Sequence, residues 1–295
     1  MSHTYRAQRM ITRPVRFDWT GLPFYWIRDE PFASHCFNMT HFLLPAGEKW
    51  FCRVFQEALP HVTDPALRAD VMRFIKQEAN HARAHSEVVA YYEQQGIEVA
   101  PLIDWIEGWW REKLGPEFFG RPLTSNWARR RWLLYRLSVV AAIEHFTCVL
   151  GQWMLDTDGF DKAGAEPRMV DLLRWHGAEE IEHRAVAFSL LRHLGGGSWP
   201  ARLAAITSAM IISVRHQTKA AAYVFAQDPA FQAGPARARI KHAQAQNLLP
   251  GSAFLLKSVG RFLRPGYAPE QEASLDQADA YLRRSPAVKQ AGIGG

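Results

Sequence analysis

Along most of this chain, apolar side chains recur three and four residues apart. The two-residue alternation of a half-buried strand is nearly absent, and no Asn-Gly hairpin signal occurs. The pattern predicts an all-α protein. A first long helix is expected from near Pro45 to about His61. A second follows, with Asp64 as its cap and Pro65 at its first position, stopping at Gly96. A shorter helix over 101–115 carries Trp105, Trp109 and Trp110. A third long helix begins after Thr124 or Ser125 and is broken by the run DTDGFDKAGAEP. A fourth is expected from Pro167 to Leu194, ending at the glycines 195–197, with further helices near 199–226 and 235–263. The organisation read from this is one domain with a four-helix core over 44–194 and additional C-terminal helices over 198–265. An irregular aromatic arm over 1–43 precedes it, and a loosely ordered tail over 266–295 follows.

Composition narrows the class only a little. With 48% apolar and 22% charged residues among 295, the chain can build a substantial core. The net charge of +6 fits a mildly basic surface, and no nucleic-acid-binding motif accompanies it, so no nucleic-acid partner is expected. Cys36, Cys52 and Cys148 are scattered, and the first nineteen residues contain no apolar signal region, which together point to a reduced, cytoplasmic setting. The apolar run LAAITSAMIISV (203–214) is shorter than the roughly 20 residues of a membrane span and reads as a core helix.

The candidate chemistry lies on the second and fourth helices. Glu78, His81 and His85 stand at i, i+3 and i+7, and His176, Glu180 and His183 at i, i+4 and i+7. On a helix each trio falls within an arc of roughly 60°, so each helix turns one carboxylate and two imidazoles the same way. A two-metal site in a bundle also needs a carboxylate from each of the other two helices. An antiparallel hairpin turning near residue 63 sets Glu48 level with Glu78 and leaves Glu57 toward solvent. A turn near residue 162 pairs Glu144 with Glu180. Glu144 sits in the apolar stretch SVVAAIEHFTCVLGQW, where a lone carboxylate is costly. Cys52 and Cys148 each follow the first Glu of their half by four residues and read as small core residues. Four Glu with up to four His suit two iron ions, or manganese, better than zinc. Glu182 is expected in solvent and Glu179 just behind the ligands.

This set resembles the ferritin-like di-iron proteins, and His176-x-x-x-Glu180-x-x-His183 is similar to the arylamine N-oxygenases, which use an extra histidine there. The stretches FDWTGLPFYW, FLLPAGEKWF, DPALRADVMRFIKQEANHARAH and WHGAEEIEHRAVAF resemble a bacterial family described as predicted metal-dependent hydrolases, over roughly residues 12–265. One departure is visible. Di-iron monooxygenases often read Asp-Glu-x-Arg-His on the last helix, and here the run is Glu179-Glu180-Ile181-Glu182-His183, without the arginine.

What the resemblance implies is a ferritin-like bundle and an O2-activating di-iron oxidase or oxygenase acting on a small hydrophobic substrate. Such an enzyme needs an external electron donor, since no flavin or iron–sulfur motif occurs in the chain. The alternative is a metal-dependent hydrolase, and after it an iron-storage or structural metal bundle. A homodimer, with the tryptophans of 105–110 at its contact, is also compatible with the sequence.

Overall fold

The computed structural model describes residues 10–228, 231 and 235–292. The first nine residues of the expected arm and the last three of the expected tail lie outside them. All regular structure among the described residues is helical. The elements are α1 (Pro31–Ala58), α2 (Pro65–Gln94), α3 (Ala100–Leu114), α4 (Asn126–Asp156), α5 (Gly159–Lys162) and α6 (Pro167–His183). After them come α7 (Val186–His193), α8 (Trp199–Ala226), α9 (Ala236–Ala245), α10 (Ser252–Phe262), α11 (Leu275–Arg284) and α12 (Pro286–Gln290).

Local chemistry accounts for most boundaries. Asp64 caps α2 by accepting from the Ala66 and Leu67 amides at 2.9 and 3.0 Å, with Pro65 in the first position. Gly96, at φ +87°, ends that helix in a conformation that suits glycine. Ser125 caps α4 by accepting from the Ala128 amide. α1 pairs with α2 and α4 with α6, and the pairs meet through α1 against α4 and α2 against α6. Phe55 stacks on Phe74 at 4.2 Å, and Cys52 Sγ donates to the Ile75 carbonyl, which sets the antiparallel register of the first pair. In the second pair Gly151 lies against Gly177, and a Cβ built on Gly151 would stand 2.4 Å from the Gly177 oxygen. Only glycine at both positions lets α4 and α6 approach this closely.

Four expectations need correcting. The arm is not irregular to residue 43, because α1 begins at Pro31 and passes through Pro45. A proline in a helix interior costs about 3 kcal/mol. The buried Phe37 and Phe42 offset that cost, as does Asn38, which bonds Trp26, the Phe24 carbonyl and Tyr92. The fourth long helix breaks directly after His183, where the Arg184 guanidinium takes the Ile181 carbonyl at 2.5 Å and reaches the Pro269 carbonyl.

The tail is ordered rather than loose. α11 and α12 dock on α6 through Asp171, which accepts from the Tyr281 hydroxyl at 2.7 Å and from the Ala287 amide at 2.9 Å. Lastly, the run 203–214 is only half core. Ala205, Ile206, Ala209 and Ile212 are buried, while Met210, Ile211 and Val214 are exposed. Among the described residues, α4 alone is long and apolar enough to cross a membrane, and about two-thirds of its apolar window (67%) is buried inside the protein, as in a core helix.

Candidate metal centre

The eight ligand candidates converge where α1, α2, α4 and α6 meet, and none is more than 7% exposed. Glu78, His81, Glu180 and His183 bring one donor atom each within 4.8 Å of one another, and Glu48, His85 and His176 do the same. The two groups are continuous. His176 Nε2 lies 2.8 Å from Glu180 Oε1 and 3.7 Å from Glu48 Oε1. Glu144 joins through its Oε2, 2.9 Å from His183 Nδ1. His183 Nε2 stands 3.3 Å from Glu78, and His81 Nδ1 3.4 Å from Glu180. Glu57 stays at the surface as expected, although it is not idle there, because it accepts from the buried Arg136 at 2.7 Å.

The donor atoms fit a bound cation. Both oxygens of Glu48 and of Glu78, Glu144 Oε1, Glu180 Oε2, His81 Nδ1 and His183 Nε2 are buried without a hydrogen-bond partner. Orphaned buried polar atoms cost about 1–3 kcal/mol each, and here eight of them gather at one point. Hard carboxylate oxygens mixed with imidazole nitrogens are the donor chemistry of iron and manganese. The thiols are not part of it: burial pushes Cys52 up to about 12, and Cys148 is raised further by the same cause.

Electrostatics show how the cluster stands without a cation. Burial raises Glu48 to about 8, against the pull of His81 and with Glu180 adding to the rise. Burial, then the charge of Glu180, raises Glu144 to about 7, and burial with Glu144 and Glu180 lifts Glu78 well above the carboxylate range. Burial also opposes ionisation of Glu180, but the charge of His183 and the hydrogen bond from His176 hold it well below that range. The charged forms of His81 and His183 are disfavoured by burial too. The carboxylates around them keep both well above the usual histidine range. Protons thus occupy places that a cation would take.

Around the candidate ligands runs a shell of oriented groups. His81 Nε2 donates to Glu179 Oε2 at 3.1 Å, and Glu179 in turn accepts from Trp175 and from Arg13. Arg13 also grips Glu182 with two hydrogen bonds of 2.8 Å, and Gln77 donates to the same carboxylate. Glu182 is therefore buried and paired, contrary to expectation, since a buried guanidinium comes to meet it. The arginine that pairs with these two carboxylates comes from the N-terminal segment, whose sequence carries no periodic signal. Phe74 and Trp175 set their edges or faces against His183 and His81 and limit ring rotation.

His85 lies at the margin of the cluster. Its Nε2 is 2.5 Å from His176 Nδ1, and its Nδ1 is 2.7 Å from His41 Nδ1. His41 is not among the residues that the spacing predicts. The signal that could have found it is its place seven residues before Glu48, on the same face of α1. Burial and then His176 hold His85 well below its usual range, and burial holds His41 down to about 3, so this chain of imidazoles is neutral.

No curated protein and no solved structure matches the chain. A family model described as "Predicted metal-dependent hydrolase" matches residues 11–273. That stretch contains Arg13 and all four helices that carry the candidate ligands. The chain belongs to the family of predicted metal-dependent hydrolases.

Proposed function

We propose that the protein is a metal-dependent hydrolase, whose centre takes two divalent cations between Glu48, Glu78, Glu144, Glu180, His81, His183 and His176, with His85 at its edge. The observation that carries this reading is the set of eight orphaned donor atoms meeting where α1, α2, α4 and α6 come together. Four carboxylates balance the charge of two divalent ions. Iron or manganese fits the donors. The family description moves hydrolysis ahead of oxidation.

When bound, such a pair supplies Lewis acidity, polarising the bond to be broken and acidifying water. The chain itself supplies position and dryness. Arg13, through Glu179, fixes which nitrogen of His81 faces the centre, and Trp175 fixes its ring plane. His176, the most open of the eight, marks the side on which the centre comes nearest to solvent.

Oxygen activation is the second reading. It is favoured by the burial of all four carboxylates and by the aromatic wall around them, which suit a water-poor redox site fed by O2 and an external electron donor. A single experiment separates the two. The protein is loaded anaerobically with ferrous iron or manganese and offered a panel of carboxylic and phosphoric esters and amides. Turnover without O2 or reductant supports hydrolysis. Absence of turnover, together with O2 uptake and a changed visible spectrum on adding air to the iron form, replaces it with the oxidative reading.

A further inference from the structure

A second site lies away from the metal centre. Between α3, the turn at 118–121, the start of α4 and the middle of α8 there is a groove of about 830 Å³, within the usual size of ligand sites. Trp132 in its floor and Glu144 in the centre are both on α4, twelve residues apart, or about 18 Å along the helix. Leu114, Trp132 and Ile212 form a buried floor, while Trp127 and Ile211 stand at the rim, 73% and 62% exposed.

Three cations and no acid line this groove: Lys113, Arg131 and Arg215. None of the three has an ion-pair partner among the described residues. Each is held by an aromatic face, Lys113 over Phe119, Arg131 over Trp127 and Arg215 over Trp105, at 5.5–6.0 Å. The other polar side chains, Tyr135 and Ser208, are bonded to each other at 2.8 Å and tie α4 to α8. The wall therefore offers apolar surface with positive charge at its edge.

We propose that the groove binds a single-tailed amphipathic anion, a long-chain carboxylate, with its tail along the floor and its head among Lys113, Arg131 and Arg215. Charge complementarity selects this occupant. A second copy of the chain would bring the same cations against themselves. A flat bilayer would touch Trp127 and Ile211 and leave the concave floor unfilled. The site does not depend on the reaction at the metal centre.

The test uses cis-parinarate, a fluorescent long-chain carboxylate that accepts energy from tryptophan, of which Trp109, Trp127 and Trp132 line the groove. Saturable one-to-one transfer is expected, displaced by dodecanoate but not by dodecyltrimethylammonium or dodecanol. The paired change Arg131→Glu with Arg215→Glu should weaken binding tenfold or more. Ala128→Trp, which fills the groove without altering charge, should do the same, with helical content and Tm unchanged in both. Absence of saturable transfer overturns the proposal, as does equal displacement by the cationic or neutral amphiphile, or undiminished binding in both variants. Sedimentation with phosphatidylglycerol vesicles in the absence of any soluble-ligand binding overturns it in favour of a bilayer contact.

Discussion

Arg13 closes on Glu182 with two parallel hydrogen bonds of 2.8 Å, joining the non-helical stretch before α1 among the described residues to α6. The same guanidinium reaches Glu179, which bonds His81. One arginine thus steadies two buried carboxylates and, through one of them, the imidazole of a candidate ligand.

Removing that guanidinium should be costly in two ways. Arg13→Gln leaves two buried carboxylates short of a countercharge, a loss of about 3–5 kcal/mol. It also frees His81 to turn, which typically weakens metal affinity about 10–100-fold. Arg13→Lys keeps the charge but not the paired hydrogen bonds, and should fall between the two. Calorimetric unfolding and metal titration read the two losses separately. Unchanged affinity in Arg13→Gln would show that Glu179 does not orient His81.

Glu144→Gln and Glu57→Ala should separate ligand from scaffold. The first removes a donor that shares a hydrogen bond with His183 and should lower metal stoichiometry, while metal-free stability stays within about 1 kcal/mol. The second strands the buried Arg136 and should cost about 1–3 kcal/mol, with metal content intact. Plasma emission analysis of both proteins decides. Metal loss in Glu57→Ala would overturn the register that places Glu48 at the centre.

The α4–α6 crossing gives a third prediction. Gly151→Ala sets a methyl group against the Gly177 backbone, 2.4 Å from its oxygen, and should destabilise by about 1–3 kcal/mol while loosening Glu144 from His183. Gly108→Ala is the control. Its Cβ would meet only the end of Arg111 at 3.8 Å within α3, so it should gain up to about 1 kcal/mol. Thermal denaturation of the two variants should therefore shift in opposite directions.

Stability against pH should differ between the metal-free and metal-loaded protein. A group whose folded pKa is raised contributes stability that is present below its unfolded pKa and lost as pH rises through the folded one. Glu144 at about 7 and Glu48 at about 8 are such groups, so the metal-free protein should weaken between about pH 5 and 8. Burial holds His145 and His216 down to about 4, and they work the other way, their contribution being lost as pH falls from about 6.5 toward 4. Metal-free Tm should peak on the acid side of neutrality. Metal should flatten the alkaline fall, because the ligand protons have already left. A metal-free Tm still climbing at pH 8 would contradict this.

Much of the centre could be read from spacing. Asp64, Pro65 and Ser125 mark helix starts by local chemistry alone, and with the starts known, an antiparallel hairpin leaves Glu48 few partners other than Glu78. Arg13 could not be read this way, because it lies in a stretch without period and its partner Glu182 is 169 residues away. His41 was hidden by Pro45, a residue that usually opens helices and here sits inside one. The run at 203–214 shows the limit of apolarity as a guide. Such a run predicts a helix, but which of its faces is covered depends on neighbours elsewhere in the chain.

The distance between Arg13 and Glu182 also sets a timetable. A ribosome adding about 5–20 residues per second needs roughly 8–34 seconds to make the 169 residues between them. Once residue 81 has been added, Glu48, Glu78 and His81 exist, while Glu180 and His183 are still about 100 residues away. The nascent chain therefore carries half of a ligand set, with its carboxylates still in water, where a loosely held cation can come and go. If these residues ligate a metal, selection of the right ion waits until α6 arrives and the arginine made first closes over Glu182.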